Sequence, residues 1–105
     1  MKINMQHLTA VTCVILLPLT TGCATPTVDK HSRNMAASCA ACHGTNGNSK
    51  GGAPAIAGME KNFFMTQMKN MKSGTRPTTV MGKHAKGYSD EEIAMLADFY
   101  SAQKP

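Results

Sequence analysis

The sequence predicts a single small all-α domain with three to four helices. Three stretches place apolar residues at helical spacing, and no stretch shows the alternation of polar and apolar residues that is typical of strands. The chain has 105 residues, with no tryptophan, two tyrosines and three phenylalanines. Its own side chains therefore supply only a thin core, and the fold needs a further source of buried apolar surface.

The stretch Cys39-Ala40-Ala41-Cys42-His43 is a Cys-x-x-Cys-His motif, which indicates where that surface comes from. Two thiols at this spacing can each add to one vinyl group of a porphyrin, and the adjacent imidazole suits its iron. We therefore expect one haem c, bound covalently by Cys39 and Cys42 and coordinated by His43. The helices are expected to wrap around this haem.

A zinc site or a redox-active dithiol is the alternative interpretation of two cysteines at this spacing. Zinc needs further ligands, and no second cysteine pair follows the motif. A redox dithiol is typical of a βαβ context, which the sequence does not offer. The adjacent histidine therefore favours haem.

The first 22 residues are expected to be an export signal. Lys2 precedes an apolar run from Leu8 to Leu19, and small residues follow it. This run is too short to span a bilayer stably. We therefore expect the mature protein in the periplasm.

Cys23 follows a glycine, with Leu19 upstream, and this order resembles the lipobox of bacterial lipoproteins. In that interpretation Cys23 is lipidated and anchors the protein to the membrane. Ordinary cleavage after Ala24 is the alternative. Residues 23–29 are then expected to form a tether, and residues 30–105 the folded domain.

The first predicted helix runs from about Lys30 to Cys42, because Met35, Ala36 and Cys39 share one face. It presents the cysteines and the histidine together. The glycine-rich stretch from 44 to 58, which contains Pro54, predicts a loop without regular structure. We expect this loop to rest against the haem, with Ile56 packed on the ring.

A second helix is predicted from Glu60 to Ser73, where Phe64, Met68 and Met71 fall on one face and Gly74 follows as a stop. Residues 74–87, which include a proline and two glycines, predict an irregular crossing segment.

The last predicted helix begins after Ser89, which forms a capping box with Glu92. It carries an apolar stripe and is expected to pack across the first helix. The stripe consists of Ile93, Leu96, Ala97 and Tyr100.

Whether the iron has a second axial ligand decides between electron transfer and the binding of gas or peroxide. The predicted second ligand is Met81, on the crossing segment. His84 is the rival ligand, although a histidine between Lys83 and Lys86 is more typical of a solvated surface. A histidine–methionine pair occupies both axial positions and raises the reduction potential, which favours electron transfer.

With these features in order, the mature chain resembles a small class I cytochrome c. In the stretches 41–44, 46–49, 56–58 and 73–77, and at Pro54, it more closely resembles the cytochrome subunit of flavocytochrome c sulfide dehydrogenase. That family pairs a haem subunit with a sulfide-oxidising flavoprotein. The resemblance implies that Cys39 and Cys42 form the thioethers and that His43 and Met81 are the axial ligands. It also implies that the Pro54 carbonyl accepts a hydrogen bond from the proximal imidazole.

The resemblance implies a periplasmic mono-haem cytochrome that transfers single electrons and is not itself an enzyme. It would be the haem subunit that accepts electrons from a sulfide-oxidising flavoprotein. A free or membrane-tethered shuttle to a terminal oxidase or reductase is the alternative. Two further interpretations are a five-coordinate haem sensor or peroxidase, and a metal-binding or structural lipoprotein whose cysteines do not bind haem.

The chain carries a formal net charge of +5, and five of its cations fall in and around the Met81 segment. They are either solvated charges that keep a small protein soluble or a docking surface for a redox partner with an acidic face. Nucleic acid is not an expected partner of an exported haem protein. The cations are Lys69, Lys72, Arg76, Lys83 and Lys86.

Overall fold

The computed structural model describes residues 29–105, and within them it contains four α-helices and no strand. The helices are α1 (Lys30–His43), α2 (Lys61–Ser73), α3 (Met81–Ala85) and α4 (Asp90–Ser101). The predicted all-α class is thus confirmed. None of these helices is long and apolar enough to cross a bilayer. The predicted export signal, Cys23 and most of the tether lie outside the described residues.

The core forms where α4 packs against both α1 and α2. Ile93 and Leu96 of the predicted stripe are fully buried, and Tyr100 is 1% exposed. The Tyr100 ring stacks on Phe64 of α2 with 5.6 Å between the ring centroids. Its hydroxyl donates to the Ala36 carbonyl oxygen of α1 at 3.0 Å. Tyr100 therefore joins three helices, and burial raises the pKa of this phenol so that it stays a donor.

Side-chain caps define where α2 and α4 begin. Ser89 Oγ accepts from the Glu92 amide at 3.1 Å, and Glu92 Oε2 accepts from the Ser89 amide at 2.8 Å. The predicted capping box is thus present. Glu60 caps α2 by accepting from two backbone amides, which lower the pKa of its carboxyl. The helix consequently starts one residue later than its predicted start.

The predicted irregular segment contains a short helix, α3, and in this respect the prediction is wrong. Thr78 Oγ1 accepts from the Gly82 amide at 2.6 Å, which satisfies a donor in the first turn of α3. Ala85 is fully buried and fixes the helix to the core. This tertiary contact outweighs the weak local helix preference of the segment.

The glycine-rich loop also contains one turn of 3₁₀ helix, Thr45–Gly47, where no regular structure was predicted. The Gly47 carbonyl oxygen accepts from the Ile56 amide at 2.9 Å and from the Ala57 amide at 3.2 Å. These bonds draw the two ends of the loop together. Gly47 has a φ of +82°, a conformation in which side chains other than hydrogen are strained.

Gly47→Ala should destabilise the protein far more than Gly51→Ala. An added Cβ at Gly47 would lie 2.8 Å from the Ala57 nitrogen and 3.0 Å from Tyr100 Cδ1, whereas one at Gly51 would meet nothing within 4 Å. Strain and overpacking together should lower the free energy of unfolding of Gly47→Ala by about 2–4 kcal/mol. The matched change at Gly51 should alter it by no more than about 1 kcal/mol. Denaturant unfolding of both variants measures this, and equal effects would contradict the packing described here.

Candidate haem site

A cavity of about 470 Å³ opens between α1, the glycine-rich loop, α2 and α3. Its volume falls in the range of about 300–1,000 Å³ that is typical of cofactor and ligand sites. All of the haem-site residues predicted within the described part of the chain line this cavity. They are Cys39, Cys42, His43, Pro54, Ile56 and Met81.

The two motif cysteines lie in the last turns of α1, where residues three apart share one face of a helix. No disulfide joins them; Cys39 is half-buried and Cys42 is exposed. The helix ends directly after His43, at Gly44, which has a φ of +77°. A β-carbon added at Gly44 would clash with the Asn48 carbonyl oxygen. The end of α1 therefore presents two thiols and an imidazole to the same cavity.

His43 is 7% exposed, and its Nδ1 lies 2.7 Å from the Pro54 carbonyl oxygen. A carbonyl can only accept, so Nδ1 carries the proton and donates. This bond fixes the tautomer and leaves the lone pair of Nε2 available to a metal. The imidazole is thus oriented so that, in its neutral form, Nε2 is suited to coordinate iron.

Met81 is the first residue of α3, is half-buried and lines the cavity. His84, the rival ligand, lies one turn later on the same helix and also lines the cavity, but it is exposed. The structure therefore brings both candidate ligands to the site. The more buried of the two is the methionine.

Several lining residues were not predicted as part of the site. Phe64, Met68 and Met71 were predicted to be core residues. They do belong to the buried core, and they also line the cavity. Their neighbour Gln67 falls on the same face of α2 at helical spacing, a signal that could have identified it. Arg76, on the segment after α2, had no comparable signal.

Part of the predicted basic surface is engaged in ion pairs. Lys69 Nζ and Lys72 Nζ each lie 3.2 Å from an Asp90 carboxylate oxygen. Hydrogen bonds from Lys72 and Lys69 lower the pKa of the Asp90 carboxyl. Lys83 and Lys86, in contrast, are exposed and form no ion pair within residues 29–105.

The chemistry of these side chains fits a covalent haem. Two thiols, an oriented imidazole and a thioether line one cavity whose other walls are largely apolar. Across the described residues, no three His, Cys, Asp or Glu side chains are grouped so that they could hold a metal ion. A structural zinc site would take four such ligands.

Comparisons with known proteins agree with this chemistry. The family model described as Cytochrome c matches residues 30–102. The cytochrome subunit of sulfide dehydrogenase from Chlorobaculum tepidum is 41% identical over 75 residues, which cover 71% of this chain and 68% of that protein.

Two other relatives are considerably longer than this chain. A cytochrome c4 from Azotobacter vinelandii is 35% identical over 70% of this chain and 40% of its own length. A thiosulfate dehydrogenase electron acceptor from Thiomonas intermedia is 39% identical over 67% of this chain and 33% of its own length. The chain thus belongs to the cytochrome c family: it is a mono-haem class I c-type cytochrome, an electron carrier whose haem c is covalently bound.

Proposed function

We propose that this protein is a periplasmic carrier of single electrons that serves as the haem subunit of a sulfide-oxidising flavoprotein. The observation that carries the proposal is the convergence of Cys39, Cys42, His43 and Met81 on one apolar cavity. The similarity to the sulfide dehydrogenase cytochrome subunit supports the choice of partner. In this role the protein passes electrons and catalyses no reaction itself.

The residues of the cavity have distinct proposed roles. Cys39 and Cys42 hold the haem through thioethers, and His43 is the proximal ligand, oriented by the Pro54 carbonyl. Ile56, which is 8% exposed, forms part of the apolar wall. Bound haem supplies a one-electron ferric–ferrous couple.

Met81 is the proposed second axial ligand. Its thioether sulfur is a soft donor that favours ferrous iron and so raises the reduction potential. If His43 and Met81 both coordinated the iron, no position would remain at the metal for a substrate. This distinguishes an electron carrier from a five-coordinate sensor or peroxidase.

A second candidate function is a shuttle, free or membrane-tethered, between another donor and a terminal oxidase or reductase. The similarity to a thiosulfate dehydrogenase electron acceptor favours it. Purification distinguishes the two candidates: a subunit copurifies with a flavoprotein, whereas a shuttle is isolated alone.

We propose that the partner docks on the exposed cations beside the cavity. Lys83 lies in α3 next to the cavity-lining His84, and Lys86 is the first residue after this helix. Two large apolar side chains are also exposed in this region. Val80, which precedes Met81 in the chain, is 60% exposed, and Phe63, which lines the cavity, is 53% exposed. Such a surface suits a partner with acidic residues around an apolar contact.

The proposed location is the periplasmic side of a membrane. Residues 1–22 would be removed as a signal, a lipidated Cys23 would anchor the chain, and residues 23–29 would tether the domain of residues 30–105. Mass spectrometry of the mature N-terminal peptide tests this. Cleavage after Ala24, with no acyl group, would contradict the anchor.

Met81→Leu should remove the second axial ligand while retaining the apolar volume. We expect a high-spin haem that binds carbon monoxide and a potential lowered by on the order of 100 mV, within the roughly 0.8 V that axial ligands span. Met65→Leu is the control, because Met65 packs on the core but does not line the cavity. Absorption spectra and redox titration measure both variants.

His84→Gln should leave the spectrum and the potential unchanged, since His84 is not the proposed ligand. A normal spectrum in Met81→Leu, combined with a high-spin haem in His84→Gln, would exchange the two assignments and contradict the proposal.

Replacing Lys83 and Lys86 together by glutamine should slow electron transfer from an acidic partner. At low ionic strength we expect the second-order rate constant to fall by roughly threefold to tenfold. The difference should vanish at high salt, where charges separated by more than a few ångströms are screened. Stopped-flow reduction at several ionic strengths measures this.

The control for the lysine pair is the double change Lys30→Gln and Lys104→Gln. It removes the same charge from exposed positions whose neighbours in the chain do not line the cavity, whereas Lys83 adjoins the cavity-lining His84. If the two double variants slow equally, net charge rather than a docking surface governs the reaction.

A further inference from the structure

A hydrogen bond between two hydroxyl groups joins α1 to the segment that follows α3. The Tyr88 hydroxyl oxygen lies 2.9 Å from Ser38 Oγ, and Ser38 directly precedes Cys39 on α1. Ser38 Oγ already donates its one proton to the Met35 carbonyl oxygen at 2.8 Å. Tyr88 is therefore the donor of the bond between the two hydroxyls, and Ser38 is its acceptor.

The backbone of Tyr88 is held as well as its side chain. Its carbonyl oxygen accepts from Lys72 Nζ of α2 at 2.7 Å. Its amide donates at 3.3 Å to the carbonyl oxygen of Ala85, the fully buried last residue of α3. Tyr88 thus has hydrogen bonds to three helices, and its position is fixed relative to α3.

The bond between Ser38 and Tyr88 lies at the candidate haem site, because both side chains line the cavity. Helix α1 packs mainly against α4 and the 3₁₀ turn, whereas α3 packs mainly against α2. Within residues 29–105, no other side-chain hydrogen bond joins α1 to residues 74–89. The bond therefore connects directly two parts of the cavity wall that otherwise pack on different neighbours.

These two parts of the wall supply the two proposed axial ligands. In the proposed function, haem is fixed to α1 by its thioethers and by His43, whereas Met81 is the first residue of α3. Met81 can coordinate the iron only while α3 keeps its position relative to α1. We propose that Tyr88 is a positioning residue: by donating to Ser38, it keeps Met81 on the iron. This inference rests on the proposed function and extends it.

The expected consequence is a change in competition at the iron. An external ligand can bind only when Met81 has left the metal, so its rate of binding scales with the fraction of molecules in that open state. Loss of the bond to Ser38 frees α3 to move away from α1 more often. The net contribution of one hydrogen bond corresponds to a change of roughly twofold to tenfold in such an equilibrium.

Tyr88→Phe in the ferric, haem-loaded protein tests the inference, with imidazole as the external ligand. The phenyl ring still fills the cavity wall, and only the hydroxyl is lost. We expect imidazole to displace Met81 roughly twofold to tenfold faster than in the native protein. Stopped-flow absorption spectroscopy of the ligand exchange measures this. A rate equal to that of the native protein would overturn the inference.

Ser38→Ala removes the acceptor of the same bond and should accelerate the displacement to a similar extent. The double variant should be no faster than either single variant, because each substitution already breaks the bond. If the two accelerations multiply in the double variant, the two hydroxyls act independently, and the inference is overturned.

Ser101→Ala is the matched control for Ser38→Ala. Ser101 is also an exposed helical serine, and its Oγ donates to the Asp98 carbonyl oxygen at 3.1 Å, as Ser38 donates to Met35. It does not line the cavity, so the imidazole rate should remain native. Equal acceleration in the two alanine variants would contradict the proposed role. This pair carries the test alone if Tyr88→Phe folds poorly.

Tyr100→Phe separates positioning from general stability. The Tyr100 hydroxyl also donates to α1, at the Ala36 carbonyl oxygen, but its side chain does not line the cavity. Loss of this buried bond should lower the free energy of unfolding and leave the imidazole rate near its native value. If Tyr100→Phe accelerates the displacement as much as Tyr88→Phe, general loosening explains both results, and the inference is overturned.

The native protein distinguishes a failure of this inference from a failure of the proposed function. If its ferric spectrum shows methionine ligation and all variants exchange imidazole at the native rate, only the role of Tyr88 is wrong. A product without haem, or without methionine at the iron, would overturn the proposed function and the inference with it.

Discussion

The hydrogen bond between His43 Nδ1 and the Pro54 carbonyl oxygen, 2.7 Å long, is the contact on which the site depends. It joins the end of α1, which carries both cysteines, to the glycine-rich loop that forms one side of the cavity. Without it, the imidazole could rotate or adopt the other tautomer, and its lone pair would no longer be directed reliably at a metal. The loop can reach α1 because Gly47 accepts two backbone bonds in a conformation that favours glycine.

The cavity and the core share their residues. Phe64, Met68 and Met71 of α2 line the cavity and also belong to the buried cluster beneath it. A haem in this position would therefore complete the core as well as supply the redox centre. This explains how a chain with so few aromatic residues can support a fold, since apolar burial contributes roughly 25 cal/mol per Å².

The five cations of the predicted basic surface have different surroundings in the fold. Lys69 and Lys72 are paired with Asp90 and so stabilise the approach of α2 to the start of α4. Arg76 is turned to the cavity by Gln67. Lys83 and Lys86 form no ion pair within residues 29–105 and do not line the cavity, and they are therefore the proposed contact for a partner. A charge count alone could not have made this division.

Much of the fold was predictable because its signals are local. The stripe that ends at Tyr100, the Ser89–Glu92 capping box and the Cys39–His43 motif are all spacings within one or two helical turns. The missed features depend on distant contacts. Helix α3 requires the burial of Ala85, and the pairing of Lys72 with Asp90 joins residues 18 positions apart.

The candidate site was also predictable where its signal is local, and not where it depends on distant contacts. The motif identifies Cys39, Cys42 and His43. Met81 was preferred to His84 from its sequence context, and the fold adds that Met81 is the more buried of the two. Gln67 and Arg76 were missed because their placement in the cavity depends on how α2 and the segment after it pack.

The fold and the function both depend on one haem held covalently by Cys39 and Cys42. The intact mass of the protein matured in the periplasm, before and after treatment with a thiol-alkylating reagent, tests it most directly. We expect the mass of the mature chain plus one haem, with no alkylation at either cysteine. A colourless chain of unmodified mass, alkylated at both positions, would contradict it.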